Sequence, residues 1–82
     1  MSPTVVWEPK ALAAAHRYAK DDREGVLAAF DAADALADEP HPPGSFSYGE
    51  GLYRLRVGDY RVWYDVREAV VEIVVFHLGR TR

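Results

Sequence analysis

Arg54, Arg56, Arg61, Arg67, Arg80 and Arg82 are the residues of this 82-residue chain best suited to chemistry, and they supply every positive charge after residue 51. A guanidinium is planar, permanently charged and presents paired N–H donors that match phosphate or carboxylate. It clamps an anion and steadies charge that develops in a reaction, but it is a poor base. Proton transfer near neutral pH would fall to a histidine. His77, close in sequence to Arg80, is the candidate acid or base. His16 lies beside an apolar helical stripe and reads as structural, and His41 lies in a proline-rich loop and reads as exposed. The three histidines have no metal-ligand spacing and there is no cysteine, so no metal and no cofactor are expected.

The charge is unevenly spread. Residues 1–51 carry four basic against nine acidic residues, a balance of −5, and residues 52–82 carry six against four, a balance of +2. An acidic half and a basic half suit a polyanion or an acidic partner on one side only. The chain is one domain's length, 1–82, and a domain so small has a thin margin of stability. The N-terminus lacks the pattern of a signal peptide, and the apolar runs are far too short to span a membrane. A cytoplasmic protein with no membrane partner is expected.

The elements that must position the arginines follow from pattern. Residues 4–7 form a short β-prone run, and Pro9 suits the first turn of a helix. Leu12, Ala15, His16 and Ala19 fall on one helical face over 11–20. Residues 21–24 have capping-box spacing and open a second helix, with Val26, Phe30, Ala33 and Ala37 along one face and Leu27 and Leu36 beside them. Gly25 weakens its first turn by roughly 1 kcal/mol relative to alanine. The almost absent linker predicts an antiparallel helical hairpin. Pro40, Pro42, Pro43 and Gly44 break the chain, and 45–51 reads as an irregular loop. Three strands are predicted at 52–57, 60–66 and 70–78. The order β-α-α-β-β-β gives an α+β fold, a short N-terminal strand and a two-helix antiparallel hairpin packed on a twisted antiparallel sheet.

Gly58 and Asp59 form a two-residue turn with glycine where a type II′ turn needs it. That turn fixes the register: Val57 opposite Tyr60, Leu55 opposite Val62, Tyr53 opposite Tyr64. The other face then carries Arg56 opposite Arg61 and Arg54 opposite Trp63. Two arginines face to face repel, and an anion between them would relieve this. Trp63, on the arginine face, is placed to stack a nucleobase or to pack against a partner or the last strand. Trp7 reads as core. For the last strand, a two-residue turn at Glu68 and Ala69 would put Glu72, Val74, Phe76, Leu78, Arg80 and Arg82 on the arginine face.

The string LYRLRVGDYRVWYD over residues 52–65, after two helices and a Pro-Gly loop, resembles the RelE/ParE superfamily of toxins from bacterial type II toxin–antitoxin pairs. Residues 76–80, FHLGR, add weaker support. The resemblance implies a ribosome-dependent mRNA endonuclease, acting by attack of a ribose 2′-hydroxyl on the adjacent phosphate. It maps catalytic positions onto Arg54, Arg56 and Arg61 and a late-strand arginine onto Arg80, with Arg82 as the alternative. Arg82 and Trp63 would then contact substrate. It implies a cognate antitoxin and mRNA on the ribosome as partners. Two features depart from the family's pattern: arginines stand where lysines are usual, at Arg54 and Arg56, and no tyrosine follows Arg82. They keep two alternatives open, a ParE-like gyrase inhibitor without hydrolytic chemistry and a non-toxic homologue that only binds antitoxin.

Overall fold

The computed structural model describes residues 2–81. Strand β1 (Thr4–Trp7) leads into helices α1 (Pro9–Ala19) and α2 (Arg23–Ala35), then strands β2 (Ser45–Gly49), β3 (Leu52–Val57), β4 (Tyr60–Arg67) and β5 (Glu72–Arg80). The predicted α+β class and element order hold. Two features refine them. Residues 45–49 are an extra strand rather than a loop, and β1 joins β5 in parallel, so the five-stranded sheet β1-β5-β4-β3-β2 is mixed. Among the described residues no helix is long and apolar enough to cross a membrane.

Pro9 occupies the start of α1, where its missing N–H costs nothing. The helix turns Ala11, Ala14 and Ala15 to the sheet, all buried. Leu12 (43% exposed) and His16 lie outside, so the stripe expected through Leu12 and His16 is displaced by one position. The cause is composition. An alanine-rich helix has small residues on every side, and the side that approaches β5 most closely is the one without a Leu or His in the way. Asp22, not Asp21, caps α2 by accepting from the backbone N–H of Gly25 at 3.1 Å. Helix α2 buries Val26, Ala29 and Ala33, with Leu36 just past its end, and leaves Leu27 48% exposed.

The core lies between the helices and one face of the sheet, and includes Leu55, Tyr60, Val62, Tyr64, Ile73, Val75 and Leu78. Its two largest side chains are tyrosines, and each phenol reaches a partner, as burial demands. The Tyr60 hydroxyl donates to Asp22 at 2.9 Å, and the Tyr64 hydroxyl donates to the Pro40 carbonyl at 2.7 Å. Burial pushes the Tyr64 phenol up to about 12, and burial with the Asp22 contact raises that of Tyr60. A raised phenol stabilises the fold fully below its unfolded value near 10, and the contribution fades as pH climbs from there toward the folded value. The urea midpoint should therefore fall between about pH 9.5 and pH 11.5 and fall less for Tyr64→Phe. Equal falls in both proteins would refute this role for Tyr64.

Candidate functional site

The hairpin of β3 and β4 has the register its turn implies. Val57 faces Tyr60, Leu55 faces Val62, Tyr53 faces Tyr64, Arg54 faces Trp63 and Arg56 faces Arg61. Gly58 takes φ 57, the positive value a type II′ turn requires at its first central residue. The helices cover the face with Leu55, Tyr60, Val62 and Tyr64. Arg54, Arg56 and Arg61 therefore share the other, open face.

The last strand departs from expectation, and the departure rebuilds the site. Residues 68–70 form a 3-10 turn and Val71 takes a left-handed conformation (φ 51), so β5 begins at Glu72. Glu72 then pairs with Arg67, not with Asp65 across a two-residue turn. Further along, Tyr64 pairs with Val75 but Trp63 pairs with His77, which leaves Phe76 as the extra residue of a β-bulge. A bulge flips every later side chain to the opposite face. Leu78 turns into the core beside Val62, and Arg80 turns to the helix side beside Tyr60. The placement of Leu78 and Arg80 with the other arginines is thus corrected. His77 takes the vacated place, exposed on the arginine face and across from Trp63. Gly79 gives it room: a Cβ there would sit 3.3 Å from His77 Nε2. Gly79 is also the residue opposite Arg61, so the imidazole lies along β5 over the position that faces Arg61.

Each arginine has a distinct setting. Arg54 lies 5.8 Å from the Phe46 ring, 5.9 Å from Tyr48 and 5.8 Å from Trp63, within reach of cation–π attraction to all three. Arg61 eases its repulsion from Arg56 by folding back, donating to the carbonyls of Gly58 at 3.0 Å and Tyr60 at 2.9 Å. No anion is needed to explain that pair. The guanidinium of Arg56, an exposed residue, makes no hydrogen bond or ion pair among the described residues. Arg80 donates to Asp21 at 3.0 Å and lies 4.6 Å from the Tyr18 ring. Asp21 and the Tyr60 hydroxyl hold its guanidinium still more firmly protonated. Arg82 lies outside the described residues.

The aromatic residues sort as cleanly. Trp63 stacks on Tyr48, with centroids 5.2 Å apart and planes 21° apart. Trp7 packs against Phe30 at the core's edge, 4.5 Å between centroids. His41 is exposed and rests against Tyr53 at 4.7 Å, away from the arginine face. Sequence reasoning missed Phe46 and Tyr48, because the strand that carries them contains two serines and a glycine. The one available signal was the alternation of Ser45, Phe46, Ser47 and Tyr48 just before the hairpin.

The fold is shared with solved toxins. RelE from the archaeon Pyrococcus horikoshii, solved in complex with RelB, is 25% identical, with a TM-score of 0.79 over 99% of this chain and 97% of that one. A chain of the toxin–antitoxin complex RelBE2 of Mycobacterium tuberculosis is 20% identical, with a TM-score of 0.78 over 98% and 99% of the two chains. A chain of the chromosomal ParDE system of P. aeruginosa is 16% identical, with a TM-score of 0.70 over 99% and 98%. The curated proteins include no match to the sequence. Residues 5–82 match the family described as the ParE toxin of type II toxin–antitoxin systems, parDE. With nearly its whole length matched, the chain belongs to that family of toxins.

Proposed function

We propose that this toxin cleaves messenger RNA on the ribosome in the cytoplasm and is held in check by a cognate antitoxin. The observation that carries this reading is His77 on the same open face as Arg54, Arg56 and Arg61. The arginines alone could clamp a phosphate, and the imidazole adds the group able to move a proton. Neutral His77 takes the proton of a ribose 2′-hydroxyl as its oxygen bonds to the neighbouring phosphorus. The bond from phosphorus to the 5′-oxygen breaks, and that oxygen takes a proton from water or from the imidazolium. The products are a 2′,3′-cyclic phosphate and a 5′-hydroxyl. Arg54, Arg56 and Arg61 offset the charge on the phosphorane oxygens. Arg80 supports the site only through the fold, by tying the end of β5 to Asp21.

A cognate antitoxin is expected because RelE of P. horikoshii was solved in complex with RelB and the M. tuberculosis chain in a toxin–antitoxin complex, and the basic face is the surface such a partner would neutralise. A second reading, inhibition of gyrase by binding alone, draws on the ParE family match and on Arg61, whose guanidinium is already engaged with two carbonyls. Expression of the chain in a bacterial host, beside His77→Ala, separates the two. Growth arrest with transcripts cut at ribosome-bound codons, and cutting reduced about 10²-fold or more in the variant, is expected. Arrest with intact transcripts would replace this reading by gyrase binding, and absence of arrest would leave a non-toxic homologue.

A further inference from the structure

The arginine face continues onto β2, and there it changes character. Phe46 pairs with Arg54 in register, and a bulge between Ser47 and Gly49 leaves Tyr48 as the extra residue on the same face. Three consecutive positive φ values, 89° at Gly49, 57° at Glu50 and 84° at Gly51, turn the chain sharply back and hold Tyr48 over the sheet. Tyr48 stacks on Trp63, so one face of the indole is already covered. The ring surface left to solvent belongs to Phe46 (54% exposed) and Tyr48 (44% exposed), whose centroids lie 4.8 Å apart. Exposed rings at the outer strand of a sheet, with no apolar neighbour above them, lose free energy to water unless something covers them.

We infer that Phe46 and Tyr48 form a stacking subsite for an unpaired nucleobase of a single RNA strand whose phosphates run along Arg54, Arg56 and Arg61. This deepens the reading of RNA as the target and rests on it. Proteins that hold single strands combine a cationic track with aromatic rings, because every base has a π-face and every nucleotide a phosphate. Here Arg54 joins the two parts. Its guanidinium lies within 6 Å of all three rings, and the next arginine along β3, Arg56, carries the track toward Arg61 and His77. The acids of this face, Asp65 and Glu72, lie beyond the rings on the side away from Arg56 and Arg61; Asp65, opposite Leu52, is the nearer and lies 3.8 Å from Arg67. An anionic strand would thus run from the rings toward Arg56 and Arg61, away from the acids. Trp63 is the floor that holds Tyr48 in position, not the ring that meets the base.

The test uses labelled 2′-O-methyl oligoadenylate, which cannot be cleaved, and an abasic strand of the same length. Wild-type protein should bind the adenine strand about tenfold or more tightly than the abasic one. The double variant Phe46→Ala with Tyr48→Ala should lose that preference and keep the abasic affinity, and Phe46→Tyr with Tyr48→Phe should restore it. Both rings lie outside the core, so an unchanged circular dichroism spectrum is expected. Equal affinity of the wild type for both strands, or no affinity for either, would overturn the inference. So would a double variant that keeps the preference. Loss of gyrase inhibition in the double variant, with no RNA binding by the wild type, would overturn it and make the patch a protein contact. Cleavage of transcripts by the double variant at the wild-type rate would end the inference and leave the nuclease reading standing. Base-dependent binding without any cleavage would do the reverse.

Discussion

An alanine at position 25 should destabilise the domain by about 2–3 kcal/mol, although alanine is the better helix former by roughly 1 kcal/mol. A Cβ there would overlap Oδ2 of Asp22 and come within 2.7 Å of Cε2 of Tyr60. Neither group can yield cheaply. Asp22 caps α2 through the Gly25 N–H and also accepts the Tyr60 hydroxyl. Tyr60 is 2% exposed and edge-packed on Tyr18, with ring centroids 5.6 Å apart. The glycine is therefore the gap through which the helical hairpin is fastened to β4. In a domain this small such a loss is a large share of total stability. Urea unfolding of Gly25→Ala decides the matter, and a midpoint at or above that of the wild type would show that the space is not needed.

Arg56→Ala and Arg80→Ala should fail in opposite ways. Arg56 is exposed, faces Arg61 and has a guanidinium without a partner among the described residues, so its removal relieves a like-charge pair. Its thermal midpoint should stay level or rise slightly, while on the proposed nuclease reading transcript cleavage falls about 10²–10³-fold, because that reading makes Arg56 a donor to the phosphorane. Arg80→Ala loses the Asp21 contact and the Tyr18 ring, so its midpoint should drop, while cleavage per folded molecule stays near wild type. The two variants measured side by side, with cleavage normalised to folded protein, check both expectations. If Arg80→Ala proved the more crippling to cleavage per folded molecule, the active face would have to be redrawn around the end of β5.

The β3–β4 hairpin was legible because a two-residue turn leaves no freedom in register, and alternation then assigns every side chain to a face. The end of β5 was not, because its bulge depends on two neighbours at once. Strand β5 pairs with β4 on one side and with β1 in parallel on the other. Nothing within residues 70–78 announces that Phe46-side and helix-side faces exchange at Phe76. This one residue decided which of His77 and Arg80 joins the arginines. Strand β2 was hidden by weak strand formers, and it took Phe46 and Tyr48 with it. The cap slipped by one because Asp21 has the capping-box spacing to Glu24 whereas Asp22 is followed three residues on by Gly25, and the contacts that select Asp22, from the Gly25 N–H and the distant Tyr60 hydroxyl, carry no such signature. The residues able to bind phosphate were thus readable by type and partly by place. The aromatic half of the face was readable by neither.

The parallel pairing of β1 with β5 ties the first strand of the chain to the last, with Thr4 beside Glu72 and Trp7 beside Val75. The backbone N–H groups of Thr4 and Glu8 donate to the carbonyls of Val71 and Val75. Contacts so distant in sequence are slow to close, because the intervening chain loses its freedom before they reward it. A nascent chain lacks the partner of β1, the floor beneath α1 and His77 itself until β5 has been made. Synthesis itself therefore keeps the toxin unassembled, and the interval before the last strand docks is time in which a neutralising partner can already be at hand.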